Sequence, residues 1–490
     1  MDKPADVFDR EAEWAALSRF AGDPVDHALL GIVSGRRRQG KSYLLDGLCR
    51  ASGGLYLASI EATRTESLRW LGVQLGSRLG LSAPLSLGSW SDAINAVLSL
   101  SRDHPTPVVL DEFPYLVKTS PELPSVIQAA VGPRQGRAGP SRVRLVLCGS
   151  SLSFMGSLLS GNAPLRGRAS LELNVPTFDF RQAARFWGIS DLRLAVLTHS
   201  IVGGTPAYRR EYARDDVPKA RADLDDWVVR TVLNPASPLF REARYLLAEE
   251  PELRGRALYH SVLAAIAEGN HTRGGIATYI GRSATDISHH LTVLEDAGYL
   301  TRQPDVFRSG RSTYHICEPL VAFYHAIMRP EWGQLERPGN AERVWQLAQH
   351  RFAASVIGPH FEGLCRSWAA RFASAQTFGG QVTRVGPGVV HDPVARQGHQ
   401  VDVAVFADPG DGGAPRLTSI GEVKWAEQMG VGHLDVLRHA RDLLVRRGEH
   451  GASTIRLACY SAAGFTRALR EASRREEVVL VGLDRLYHGS

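Results

Sequence analysis

A chain of 490 residues, 44% hydrophobic and 22% charged, has the makeup of folded protein and room for about three domains, which excludes extended disorder. It holds no run of 18 apolar residues, and its start, Met1-Asp2-Lys3-Pro4-Ala5-Asp6, has no apolar stretch behind a basic segment, so neither a membrane span nor a secretory leader is expected and the expected compartment is the cytoplasm. The formal charge of +6 permits an anionic partner without requiring one, and five scattered cysteines (Cys49, Cys148, Cys317, Cys365, Cys459) without Cys-x-x-Cys spacing argue against a disulfide framework and a cysteine zinc site.

In chain order, apolar runs predict strands at 29–34, 54–59, 107–110 and 143–148, with a helix over 42–50 between the first two. Strands alternating with helices imply a parallel sheet covered on both faces. A Gly-, Pro- and Arg-rich stretch, 132–142, reads as a surface loop. From 180 to 253 the pattern is helical, broken at Gly203-Gly204-Thr205-Pro206. Three short helices follow over 259–302, then a linker at 335–340, then a long helix and further strands and helices. The expected domains are 1–178, 179–253, 254–334 and 341–490. Neither an internal repeat nor a low-complexity tract is visible.

Gly35-Arg36-Arg37-Arg38-Gln39-Gly40-Lys41-Ser42 fits G-x-x-x-x-G-K-[ST], with a strand running in and a helix leading out. That context aims backbone N–H groups and a helix N-terminus at phosphates, so these eight residues are expected to cradle ATP, with Lys41 on the β- and γ-phosphates and Ser42 on Mg²⁺. Val108-Val109-Leu110-Asp111-Glu112 ends an apolar strand in two acids. Alone, such a pair is a solvated strand end. Beside the loop, Asp111 is expected to hold the Mg²⁺ shell and Glu112 to polarise the attacking water. Ser150 or Ser151 would sense the γ-phosphate or form an ordinary turn, and Arg166 and Arg168 are arginine-finger candidates or plain surface residues. Lysine occurs five times (Lys3, Lys41, Lys118, Lys219, Lys424) in a chain that otherwise uses arginine, and two of the five fall in chemical motifs.

The segments 273–280 and 284–297, joined at Gly281-Arg282-Ser283, read as a helix-turn-helix packed through Ile276, Ile280, Ile287, Leu291 and Leu294. A two-stranded wing follows, with Arg308 and Arg311 near its tip. On DNA, Thr285, Ser288 and His289 would face the major groove and the two arginines would touch phosphate. The second helix carries no Arg or Lys, so a protein-contact role stands beside the DNA role. His289 and His290 are not expected to be a metal pair, because neighbouring side chains diverge.

Toward the C-terminus, Asp402 interrupts the apolar strand 400–406, and a second strand ends Gly421-Glu422-Val423-Lys424-Trp425. Period-two geometry puts Glu422 and Lys424 on one face, and an adjacent strand brings Asp402 alongside. Two carboxylates suit a hard divalent cation, and the ammonium can orient a water or steady a pentavalent phosphate. Asp402, Glu422 and Lys424 are therefore candidate nuclease residues, with Asp402 and Glu422 as Mg²⁺ ligands. This arrangement resembles the PD-(D/E)xK nuclease core, including its helix-strand-strand-strand-helix-strand order, and the resemblance places Glu362 where a further acid often stands on the first helix.

Taken together, Phe8-Asp9-Arg10-Glu11, the Gly-Arg-Arg-Arg-x-Gly-Lys-Ser loop, Leu110-Asp111-Glu112-Phe113-Pro114-Tyr115, Cys148-Gly149-Ser150-Ser151, Pro164-Leu165-Arg166-Gly167-Arg168 and Gly203-Gly204-Thr205-Pro206-Ala207-Tyr208 are similar to archaeal-type AAA-related (STAND-like) ATPases. Asp9 departs from the family's usual Gly. The resemblance implies an α/β P-loop ATPase core, a helical lid, a winged helix-turn-helix and a restriction-endonuclease-like α/β tail. ATP and Mg²⁺ are the implied cofactors. DNA, a protein partner or a second copy of the chain are candidate partners, and no membrane is implied. Two readings stay open: an ATPase acting on or near DNA with a metal-dependent nuclease tail, and a nucleotide-controlled switch that binds DNA or protein through an inactive tail. A transporter ATPase fits poorly, because Leu-Ser-Gly-Gly-Gln is absent.

Overall fold

A computed structural model describes residues 1–131, 141–248, 255–408, 410, 413–475 and 478–490, which form two compact units, Met1–Thr177 and Phe178–Ser490. Most of the expected loop 132–142 and the end of the expected helical segment, 249–253, lie outside the described residues. Among the described residues no helix is long and apolar enough to cross a membrane.

The first unit is built on a five-stranded parallel sheet of β1 (Leu29–Ser34), β2 (Leu55–Ala58), β3 (Thr106–Asp111), β4 (Val143–Gly149) and β5 (Ala169–Asn174), in the order β2-β3-β4-β1-β5. Alternating side chains along the central strands supply two cores. Leu30, Ile32, Val108, Leu110, Leu145 and Leu147 pack on helices Arg64–Arg78 and Trp90–Leu98, whereas Leu29, Val33, Val109, Val146 and Cys148 pack on helices Glu11–Ala21 and Lys41–Ser52. Burial on both faces is why these strands read as continuous apolar runs. The edge strand β5, Ala-Ser-Leu-Glu-Leu-Asn, instead alternates half-buried and exposed residues, and sequence reading missed it. The insertion of β4 between β1 and β3 sets the strand end carrying Ser150 between the glycine-rich loop and the two acids. Ligand sites in open parallel sheets form at these carboxyl ends.

In the second unit, helices Phe180–Trp187 and Leu192–Val202 start on Asp179 and Asp191, whose carboxylates accept backbone N–H bonds. The second of these helices stops at Gly203, where the break was expected. Further on, helices Arg256–Ala267, Arg273–Ile280 and Ala284–Asp296 precede the antiparallel pair β6 (Leu300–Pro304) and β7 (Ser312–Ile316). Thr272 and Ser283 cap the second and third helices, and Gly281 ends the second at φ 71. Ile276, Ile287, Leu291 and Leu294 are buried as expected, and Ile280 is half-buried.

The C-terminal sheet runs β12-β11-β10-β9-β8, from β8 (Gln381–Asp392), β9 (Gln397–Asp408), β10 (Arg416–Lys424), β11 (Arg456–Ser461) and β12 (Val478–Val481). The first three of these strands pair antiparallel and the last three parallel. Helix Gly358–Arg371 precedes β8, and helix Val431–Arg446 links β10 to β11, so the order is helix, three strands, helix, strand. The tip of the β6–β7 hairpin docks on β8. Phe307 is 4% exposed and joins the core with Val390, Val401 and Leu443, Val306 N–H donates to the Pro387 carbonyl at 3.1 Å, and Arg447 donates to the Phe307 carbonyl at 2.8 Å. A Cβ on Gly388 would lie 2.5 Å from the Phe307 ring, so glycine is what permits the approach.

Candidate functional site

The Gly35–Ser42 loop leaves β1 and feeds helix Lys41–Ser52, as its spacing predicts. Gly40 turns at φ 85, a conformation costly for residues with a Cβ. Lys41 is 6% exposed, and its Nζ donates to the Arg36 carbonyl at 2.8 Å across the loop. Burial draws its pKa below the usual lysine range, against the opposing pull of Glu112 and Asp111. Ser42 Oγ donates to Asp111 Oδ2 at 2.7 Å, and Asp111 Oδ1 accepts from the Glu112 N–H at 2.9 Å. The Tyr56 hydroxyl also donates to Asp111 Oδ2. Burial opposes ionisation of Asp111, but the bonds from Cys148, Tyr56, Ser42 and the Glu112 N–H outweigh it and hold the carboxyl below its ordinary range.

Glu112 stands at φ 52, off the end of β3, and burial together with the Asp111 charge raises its pKa. Ser150 Oγ reaches Glu112 Oε2 at 3.4 Å, whereas Ser151 caps helix Leu152–Ser157 through the Phe154 N–H. Of the two serines, only Ser150 contacts an acid of the site. Arg36 and Gln39 are buried, Arg38 is half-buried, and Arg37 donates to the Tyr115 hydroxyl at 3.0 Å. Arg166 and Arg168 are exposed, and Arg166 bonds the Gly161 carbonyl at 2.7 Å within its own loop.

Two residues were not assigned roles by sequence reading. Tyr56 sits on β2 and touches an acid 55 positions away, which no local spacing signals. Arg10, 5% exposed, donates to the carbonyls of Gln39 at 3.2 Å and Pro176 at 2.6 Å, tying the N-terminal segment to the glycine-rich loop. Asp9 and Arg10 both have positive φ, 54 and 68, a backbone region that Asp tolerates better than most side chains.

In the second unit, β9 and β10 bring Asp402, Glu422 and Lys424 together. Asp402 Oδ2 accepts from the Val423 N–H at 2.8 Å, Oδ1 accepts from Gln400 Nε2 at 2.9 Å, and its backbone carbonyl accepts from Arg366 at 3.0 Å. Lys424 Nζ lies 2.9 Å from Glu422 Oε1 and Arg366 lies 3.5 Å from Glu362 Oε2. Burial raises the pKa of Asp402 and of Glu362, where the Asp402 charge adds to it. Burial alone would lower Lys424, but its bond to Glu422 outweighs this and raises it. The other oxygen of Glu422, Oε2, is buried without a hydrogen-bond partner among the described residues. Glu362, Asp402 and Glu422 do not form a cluster with three ligand atoms within 4.8 Å of one another.

On helix Ala284–Asp296, Thr285 and His289 are exposed, while Ser288 donates back to the Ala284 carbonyl at 2.8 Å. His290 packs against Tyr259, its ring centroid 4.8 Å away.

No known family profile matches the chain. An uncharacterised protein of Methanocaldococcus jannaschii is 26% identical over 335 residues, covering 67% of this chain and 70% of its own. Among solved structures, the Walker-type ATPase PABY2304 of Pyrococcus abyssi matches 66% of this chain and 97% of its own, at a TM-score of 0.50 and 21% identity. The Aeropyrum pernix ORC2 protein matches 72% and 96% at a TM-score of 0.41 and 15% identity. The likeness to the Pyrococcus protein shows a fold: the first unit is a parallel-sheet α/β P-loop domain.

Proposed function

We propose that this chain binds and hydrolyses ATP with Mg²⁺ in its first unit. The observation that carries the proposal is the convergence of Lys41, Ser42, Asp111, Glu112 and Ser150 at the carboxyl ends of β1, β3 and β4, with Ser42 Oγ and Asp111 Oδ2 2.7 Å apart and Asp111 kept ionised. These residues suit the group: a buried ammonium for phosphate oxygens, and a hydroxyl with a carboxylate for a hard cation. The loop Gly35 to Ser42 would hold the phosphates, and Ser42 and Asp111 the ion. Bound Mg²⁺ would supply charge neutralisation on the phosphates. Lys41 exchanges its bond to the Arg36 carbonyl for a phosphate oxygen. Glu112, with its raised pKa and its bond from Ser150, accepts a proton from water. The test is a Glu112→Gln protein, expected to bind ATP as wild type does while turnover falls by at least about 100-fold. Full turnover in that variant would remove Glu112 from the chemistry.

For the second unit the leading reading is an action on or near DNA. The helix-turn-helix followed by the β6–β7 hairpin is taken as a winged helix, and Asp402, Glu422 and Lys424 as a PD-(D/E)xK-like nuclease set. A second reading, a nucleotide-controlled switch with an inactive tail, is favoured by a specific observation: both side-chain oxygens of Asp402 are already bonded within the protein, to Val423 and Gln400. A cleavage assay on single- and double-stranded nucleic acid, with Mg²⁺ or Mn²⁺ and with or without ATP, separates them. Cutting that disappears in Asp402→Ala and Lys424→Ala supports the nuclease. A wild type that cuts nothing supports the switch.

A further inference from the structure

A second cluster of metal-binding side chains stands apart from both sites above. Asp392 closes β8, His399 lies near the start of β9, and His439 lies on helix Val431–Arg446. One ligand atom from each falls within 4.8 Å of the other two. The hairpin register explains how two of them meet: Val390 pairs with His399, and Asp392 sits two residues further on, so Asp392 and His399 are diagonal neighbours on one face of the antiparallel pair. The helix packs against that face through Leu437, Ala440 and Leu443, which brings His439 to the two strand residues.

Three details resemble a built ligand set. Asp392 Oδ1 accepts the backbone N–H bonds of Val394 at 2.8 Å and Ala395 at 3.0 Å, which fixes the carboxylate and turns Oδ2 toward His439 Nε2, 3.1 Å away. That separation is close to the ~3.3 Å between neighbouring donors around a tetrahedral ion with bonds of about 2.0 Å. The His399 and His439 rings stand 4.8 Å apart at 72°, and His399 Nε2 is buried with no hydrogen-bond partner among the described residues, which costs free energy unless something supplies one. Asp392 is 6% exposed and His439 is exposed, so the cluster is anchored on one side and open to solvent on the other.

We propose that Asp392, His399 and His439 bind a borderline divalent cation of the Zn²⁺ class, with water completing the fourth position. Two imidazoles disfavour Mg²⁺ and Ca²⁺, which take oxygen ligands, and one carboxylate with two imidazoles is a ligand number and type that zinc accepts with an open position. Neutral ligands and one carboxylate leave the site with a net positive charge when filled. The ion would pin the β8–β9 hairpin to the helix that covers it, on the same sheet that receives Phe307.

The test uses the full chain, stripped with chelator and then dialysed against Zn²⁺. One bound Zn²⁺ per chain is expected in wild type and equally in Lys41→Ala and Asp402→Ala, which separates this site from the nucleotide and nuclease-like residues. His399→Asn and His439→Asn should weaken binding by more than about tenfold, the low end of what even an indirect ligand contact contributes. Loading wild type with Co²⁺ should give the intense visible bands of a four-coordinate ion, lost in His439→Asn, whose exposed position makes misfolding an unsuitable explanation. Wild type that takes up no stoichiometric Zn²⁺, six-coordinate Co²⁺ spectra, or undiminished binding in the two histidine variants with native circular dichroism would each overturn the assignment.

Discussion

At the residue scale, the carboxylate of Asp111 organises the proposed nucleotide site. It collects Ser42, Tyr56 and the Glu112 N–H, and so points one oxygen at the place where the helix begins and leaves Glu112 free to face Ser150. Tyr56 is therefore a positioning residue. Tyr56→Phe removes a hydrogen bond to a charged group while keeping the ring in place, and urea unfolding of the full chain should lose about 1.5–3 kcal/mol of stability in the transition of the first unit. A smaller loss would mean that Ser42 and Cys148 suffice to hold the acid. The glycine-rich loop and the acid pair were legible in the sequence because their spacing is set by backbone geometry within one loop and one strand end. Tyr56 and Arg10 were not, because each acts through a partner brought near only by folding: Arg10 bonds Pro176, 166 positions away. Separation along the chain likewise hid the meeting of Asp392 and His439, 47 positions apart.

At the element scale, the β6–β7 hairpin has a structural use. Its arginines, Arg308 half-buried and Arg311 exposed, flank a tip whose Phe307 fills the C-terminal core. Phe307→Ala deletes most of a buried aromatic side chain and should cost about 3–5 kcal/mol, read as a lower midpoint in chemical unfolding of the second unit. An unchanged midpoint would show that the hairpin tip is not held there. The hairpin and its tip arginines were readable from sequence but the docking was not, since Gly386, which faces Val306, and Gly388, which admits Phe307, lie about 80 positions later on an edge strand. β1, β3 and β4 were readable because burial on both faces leaves no polar alternation, whereas β5 was not, because Ala-Ser-Leu-Glu-Leu-Asn looks like any exposed polar stretch.

A buried histidine pair gives the second unit a pH dependence. His199, on helix Leu192–Val202, and His360, on helix Gly358–Arg371, share a 2.8 Å contact between ring nitrogens. Burial pushes His199 down to about 4 and, with the neighbouring His199, pushes His360 well below the ordinary histidine value. Unfolded histidines bind protons at higher pH than these do, so stability is full above about 6.5 and falls as pH drops toward 4. The slope is about 1.4 kcal/mol per pH unit for each histidine still neutral in the fold. Thermal unfolding scanned from pH 7 to 4.5 should show that decline, and His199→Leu with His360→Leu should make it shallower without abolishing it, because burial also holds His315 and His325 below the ordinary histidine value. A wild-type profile already flat over that range would contradict the pair's role.

At the scale of the whole molecule, each unit carries its own hydrophobic core, so the ATPase chemistry proposed for the first unit can be tested without appeal to the second. The central claim is that the Gly35–Ser42 loop with Lys41 embraces a triphosphate. The most direct measurement is a calorimetric titration of the full chain with a slowly hydrolysed ATP analogue and Mg²⁺, wild type beside Lys41→Ala. Wild type should bind one analogue per chain, and the variant should bind at least about 100-fold more weakly with its fold intact, because a buried ammonium beside phosphate is a strong charge-assisted contact. Equal affinity in the two proteins, or no binding by wild type, would contradict it.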